Sequence, residues 1–92
     1  MLNKEWTTWR ELLERRMQGN GETLADLIHI TIPAEELDRR FDRNYGRPYG
    51  SPFTVWSRHF VYFPLEYDGY ESVGCAPRDP CDISCKHQGG EG

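Results

Sequence analysis

Residues 53–75 constrain this chain more than any other stretch. They hold seven of its twelve aromatic residues and read as strand, turn, strand, Asp68-Gly69 turn, strand. Asp-Gly between two β-rich runs is a strong hairpin signal, because both residues tolerate the positive φ that a type I′ turn demands. Along residues 60–67 nearly every side chain is apolar or aromatic, so other parts of the chain must cover at least one face. Pro64 has no N–H to give a central ladder and is expected at a bulge or an edge. The expected sheet is a meander in which residues 53–57 and 70–75 flank the long middle strand. The fold class that follows is α+β: a small three- or four-stranded antiparallel sheet covered by two to three short helices.

The segments that supply the cover come first in the chain. Residues 6–18 place Trp9, Leu12, Leu13 and Met17 at helical spacing, with Arg10, Glu11, Glu14 and Arg15 on the other side. Thr8 with Glu11 three residues later fits a capping box, and Gly19-Asn20-Gly21 ends the helix. Residues 22–27 suit a short helix entered through Thr23, with Asp26 in the box position. Ile28, Ile30 and Ile32 then alternate with His29 and Thr31, which argues a short strand with the polar pair facing away from the core; continuation of helix through Ile28 is the alternative. From Pro33 to Asp42 a third helix is expected, with Leu37 and Phe41 as its buried stripe and Glu35–Arg39 and Glu36–Arg40 as i,i+4 pairs. Its carboxylates Glu35, Glu36, Asp38 and Asp42 read as a solvated face or a partner surface.

Ninety-two residues allow one domain, expected over residues 1–76, followed by an irregular Cys/His/Gly-rich tail over 77–92. No apolar run approaches the roughly 20 residues needed to span a bilayer. The opening Met-Leu-Asn-Lys-Glu-Trp lacks the apolar centre of a signal peptide, so a cytoplasmic protein with no membrane partner is expected. A net charge of -4 argues against a general nucleic-acid binder. No Gly-rich phosphate loop, H-E-x-x-H or G-x-S-x-G is present, and a non-enzymatic role is expected.

Two constellations could carry chemistry. Cys75, Cys81, Cys85 and His87 are the complement of a structural Cys3His zinc site, which would tie the tail to the end of the third strand. Their spacing, C-x5-C-x3-C-x-H, has no C-x2-C knuckle, and reduced cysteines without metal are the competing reading. Cys85 beside Lys86 and His87 is the best placed thiol for a nucleophile, since neighbouring cations favour the thiolate, but nothing supplies an oxyanion hole. The second constellation lies in the Gly- and Pro-punctuated loop of residues 43–52. There Arg40, Arg43, Arg47 and Arg58 with Tyr45 and Tyr49 make a basic-aromatic patch suited to RNA, phosphate or an acidic protein surface, or to ordinary loop packing. If one sheet face stays open, Trp56, Tyr62, Tyr67 and Tyr70 join them as partner-binding candidates; if both faces are covered, these are core.

Phe53-Thr54-x-Trp56, Val61-Tyr62-Phe63-Pro64-x-x-Tyr67-Asp68-Gly69, Val73-Gly74 and Pro77-Arg78-x-Pro80 together resemble a group of small proteins encoded by bacteriophages and prophages of gut bacteria. The N-terminal part is similar in style through Thr8-Trp9-Arg10-Glu11-Leu12 and Glu36-Leu37-Asp38-x-x-Phe41-Asp42. Ser72 stands where the group is expected to carry Trp, and Cys75 and Cys85 are not positions associated with it. The resemblance implies a phage-derived inhibitor, a monomer or small homo-oligomer, that binds and blocks a host protein, plausibly a CRISPR nuclease. A small zinc-stabilised module that binds nucleic acid or protein is the alternative.

Overall fold

The computed structural model describes residues 4–45 and 49–88. In chain order the elements are β1 (Trp6–Thr7), α1 (Trp9–Gly19), a 3-10 turn (Leu24–Asp26), β2 (Leu27–Ile30), α2 (Ala34–Leu37), β3 (Phe41–Asp42), β4 (Val55–Ser57), β5 (Phe60–Tyr67) and β6 (Tyr70–Pro77). Four strands form one antiparallel sheet in the order β2-β4-β5-β6, and β1 pairs with β3 in a second, two-stranded sheet. The chain is α+β, and the expected meander is its centre. No helix among the described residues is long and apolar enough to cross a membrane.

Asp68 and Gly69 turn β5 into β6 with φ of 51° and 81°, both positive as a type I′ turn requires. The Gly69 N–H also donates to the Glu66 carboxylate, locking the turn. β4 accompanies β5 only at Tyr62 and Val61, whereas β6 runs along its whole length. Pro64 therefore lies where β5 has a neighbour on one side only. It faces Val73, whose carbonyl turns out of the sheet to accept from Arg16 Nε at 2.8 Å. In a pair of that kind both residues direct their backbone groups away from each other, so the missing N–H of Pro64 breaks no ladder bond.

β6 is an edge strand, and its outward carbonyls are occupied in register. Glu71 O accepts from Arg43 Nε at 2.9 Å, Val73 O from Arg16 Nε, and Cys75 O from Gln88 Nε2 at 3.3 Å. Glu71 N–H donates to Arg43 O at 2.8 Å.

Thr8 caps α1 by accepting from Glu11 N–H at 3.2 Å. The helix starts later than expected because Trp6 and Thr7 are extended, paired with Asp42 and Phe41. At its far end Glu22 N–H reaches Met17 O, Gly21 N–H reaches Gln18 O, and Gly21 takes φ 74°: a Schellman closure that satisfies the last carbonyls. Trp9, Leu12, Leu13 and Met17 are buried, and with Leu37, Phe41, Phe53, Val55, Tyr62 and Val73 they form the core between α1 and the sheet. Trp9 anchors it, with ring centroids 4.8 Å from Phe41 and 4.9 Å from Phe53 and its indole N–H on Ser51 O at 3.0 Å.

Four expectations are corrected. The third helix spans only α2. Asp38 ends it, and Phe41 and Asp42 instead pair with β1, so Phe41 enters the core from a strand. The expected i,i+4 pairs give way to Arg39–Glu36 at 3.1 Å and to the Arg10–Asp38 pair between helices. Asp42 is no solvated carboxylate: it is buried and accepts from the N–H groups of Glu5 at 2.9 Å and Asn44 at 3.0 Å. In β2 a register shift between Leu27 and His29 breaks the alternation and leaves Ile28 61% exposed. Within residues 22–27 the expected Thr23/Asp26 capping box is in place, but it opens only a single 3-10 turn, and Leu27 already belongs to β2.

Candidate functional site

Because the α1 closure ends on Asn20 and Glu22, it delivers both side chains under the sheet. Glu22 is 4% exposed. Its Oε1 accepts from Ser57 Oγ at 2.6 Å and from Tyr62 Oη at 2.7 Å, and its Oε2 accepts from His59 N–H at 3.0 Å. Asn20 Nδ2 donates to Tyr62 Oη at 3.2 Å and to Cys75 Sγ at 3.3 Å. Burial pushes the Tyr62 phenol far above its ordinary value, with Asn20 opposing and Glu22 adding to the shift. A carboxylate, two hydroxyls and, 3.9 Å from Glu22, the imidazole of His59 thus stand together. Ser57 and Tyr62 are fully buried, however, so no substrate reaches the hydroxyls, and the cluster works as a strut between helix end and sheet.

A second carboxylate, Glu71, is 2% exposed and accepts from the N–H groups of Tyr49 at 2.8 Å and Gly50 at 2.9 Å. It fixes the end of the long loop against Trp9. Beside it Arg43 is buried, with Nη1 on Glu5 at 3.1 Å and its guanidinium 4.3 Å from the centroid of the Tyr70 ring. Tyr70 Oη donates to the same Glu5 oxygen at 2.9 Å. Burial, then that hydrogen bond, raises the Tyr70 phenol above its usual value.

These placements divide the expected partner surface. Tyr62 and Arg43 are withdrawn from it: Tyr62 is core and Arg43 braces β6. Tyr70 is half-buried under Arg43. Trp56 is half-buried on the opposite face of β4, its ring 5.5 Å from His29. Tyr67 stands 61% exposed beside the Asp68-Gly69 turn. Arg58 is at the β4–β5 turn, ion-paired with Asp26 at 3.2 Å, and Arg47 lies outside the described residues. Among the described residues the expected basic patch is therefore not gathered in one place.

Flanking β3, however, two aromatic-arginine groupings do form. Arg40 lies over the ring of Trp6 at 5.5 Å, and Arg39 lies over Tyr49 at 5.9 Å. Tyr49 stacks with Tyr45 at 5.0 Å. Trp6, Tyr45 and Tyr49 are each about half exposed, at 50%, 48% and 49%. Ordered aromatic rings braced by guanidinium groups yet open to water lose little freedom on meeting a partner. Sequence reasoning had Arg40, Tyr45 and Tyr49 but placed Trp6 in the helix.

Cys75 is half-buried in β6, and Cys81, Cys85 and His87 are exposed in the tail. Among the described residues no group of three or more His, Cys, Asp or Glu side chains is gathered as a metal site would need. Hydrogen bonds tie the tail instead, through Gln88 to Cys75 O and through Arg78, whose N–H reaches His59 O at 3.1 Å and whose Nη1 reaches Ser57 O at 2.8 Å. Compared with family models, curated proteins and solved structures, the chain matches none.

Proposed function

We propose that the chain is a non-enzymatic, phage-derived inhibitor that acts in the host cytoplasm by binding and blocking a host protein, an anti-defence protein of the kind that acts on CRISPR nucleases. The observation that carries this reading is the set of exposed rings Trp6, Tyr45 and Tyr49 around β3, with exposed Arg40 over the first and half-buried Arg39 over the last. Trp, Tyr and Arg dominate the energetics of protein interfaces, and here they are ordered before any partner arrives. The buried carboxylates and hydroxyls are taken up in bracing the fold, which supports binding over turnover. The resemblance to small phage and prophage proteins points to a host target and to the anti-defence class.

Purified CRISPR nucleases of several types, cleaving target DNA while the protein is titrated in, provide the test. Stoichiometric inhibition of one type is expected, with Trp6→Ala/Arg40→Ala weakening it roughly thirtyfold or more, the scale of one interface hot spot. No inhibition of any type, or inhibition indifferent to both substitutions, would overturn the reading. Gel-shift binding of DNA alone that collapses with salt would move the chain to the nucleic-acid class instead.

A further inference from the structure

Along the outer edge of β6, between α1 and the tail, runs a half-open cleft of about 780 Å³. Its volume falls within the range of roughly 300–1,000 Å³ usual for small-molecule sites. α1 contributes Leu12, Arg15 and Arg16, β6 contributes Val73, Cys75 and Pro77, and the tail contributes Ile83 and Lys86. Arg43 and Glu5, with Tyr70, also line it.

The charges in this cleft do not balance. Glu5 is the one acidic residue among the lining residues, and Arg43 and Tyr70 already bind it. Against it stand Arg15, Arg16, Arg43 and Lys86, in a chain whose net charge is -4. Among the described residues Arg15 and Lys86 make no ion pair, and Arg16 uses only Nε, on Val73 O. Arg43, 4% exposed, keeps a buried Nη2 with no acceptor. That Nη2 is closed off from the cleft and its guanidinium lies over the Tyr70 ring, so Arg43 brings charge to the site rather than a free donor. Cations lining a low-dielectric cleft concentrate anions there.

We propose that this cleft binds a small organic phosphate of mononucleotide size. A single carboxylate would answer one positive charge and leave the others facing each other. A phosphate carries up to two charges and oxygens in the geometry that guanidinium forks match. The apolar wall of Leu12, Val73, Pro77 and Ile83 takes the organic body. This site is separate from the Trp6 and Arg40 surface, and its existence does not depend on that surface having a partner.

The test titrates the full chain with AMP, inorganic phosphate and adenosine at low salt, followed by NMR chemical shifts. AMP is expected to saturate with a Kd below about 1 mM and to bind at least about tenfold tighter than either part alone. Shifts should centre on α1, β6 and the tail. Arg15→Gln/Lys86→Gln, two exposed residues whose side chains make no hydrogen bond or ion pair among the described residues, should weaken AMP at least about tenfold while leaving the rest of the spectrum in place. Absence of saturable binding by AMP and phosphate overturns the proposal, as does AMP binding that the double substitution leaves unchanged. A single-stranded oligonucleotide that binds much tighter than AMP, with steep salt dependence, overturns it in favour of a nucleic-acid surface.

Discussion

Replacing Glu22 by alanine removes one carboxylate and strands three donors: the Ser57 hydroxyl, the Tyr62 phenol and the His59 N–H. Their fates differ. Ser57 has a second acceptor in Phe60 O at 3.1 Å, and His59 lies at an exposed turn where water can replace the carboxylate. Tyr62 is fully buried, and its other partner, Asn20, donates to it, so its own proton is left without an acceptor. A stranded buried donor costs about 1–3 kcal/mol, and hydrogen bonds to a charged group contribute about 1.5–3 kcal/mol. The substitution should therefore destabilise by about 3–5 kcal/mol, a large part of the roughly 5–14 kcal/mol expected for a domain of this length. Glu22→Gln, which keeps shape and one accepting oxygen, should lose about 1–2 kcal/mol. Urea unfolding followed by the fluorescence of buried Trp9 measures both. Tyr62→Phe removes the stranded proton, so a double-mutant cycle with Glu22→Ala should return a coupling of about 1–2 kcal/mol. A loss under about 1 kcal/mol for Glu22→Ala, or a coupling near zero, would refute the strut.

Other outcomes follow from the same contacts. A Cβ on Gly50 would sit 2.6 Å from Trp9 Cζ2, so Gly50→Ala should cost about 2–3 kcal/mol in the same assay and loosen the loop that Glu71 holds. Tyr62 keeps its proton more tightly when folded than when unfolded, so its contribution is intact below the ordinary tyrosine value near 10 and is lost as pH rises above it. Unfolding free energy should fall above about pH 10, and Tyr62→Phe should flatten that fall. With Cys81 and Cys85 exposed and Cys75 half-buried against Asn20, a thiol reagent should modify two sites at once and the third slowly. Protein purified without chelator should carry little zinc; one zinc per chain with protected thiols would show the tail gathered around a metal.

What could be read in the sequence was what short-range rules determine. The Asp68-Gly69 turn, the Thr8 cap, the stop after Gly19 and the Thr23/Asp26 box each involve residues within a few positions of one another, and each is present. Pro64 announced its own position, since a residue without a donor fits only where no strand waits for one. The failures came where a distant partner outweighed local preference. Trp6 leaves the helix and Phe41 leaves the third helix because each pairs within the β1–β3 ribbon. Ile28 faces water because a bulge against β4 shifts the alternation. Nothing local marks Glu22 and Glu71 as buried, for their donors lie 21 to 40 positions away. Arg43 looked like a basic loop residue until the β6 carbonyl it meets was placed. Of the proposed binding surface, Arg40, Tyr45 and Tyr49 were visible as composition; the place of Trp6 under Arg40 was not.

A rim of unsatisfied carbonyls invites a neighbouring molecule to continue the sheet. On this protein two arginines and a glutamine, from three separate segments, already occupy that rim. A foreign strand would have to evict them before its first amide could dock. Growth of the sheet past β6 is thus blocked, and pairing with a neighbour's backbone is left to the opposite edge, β2.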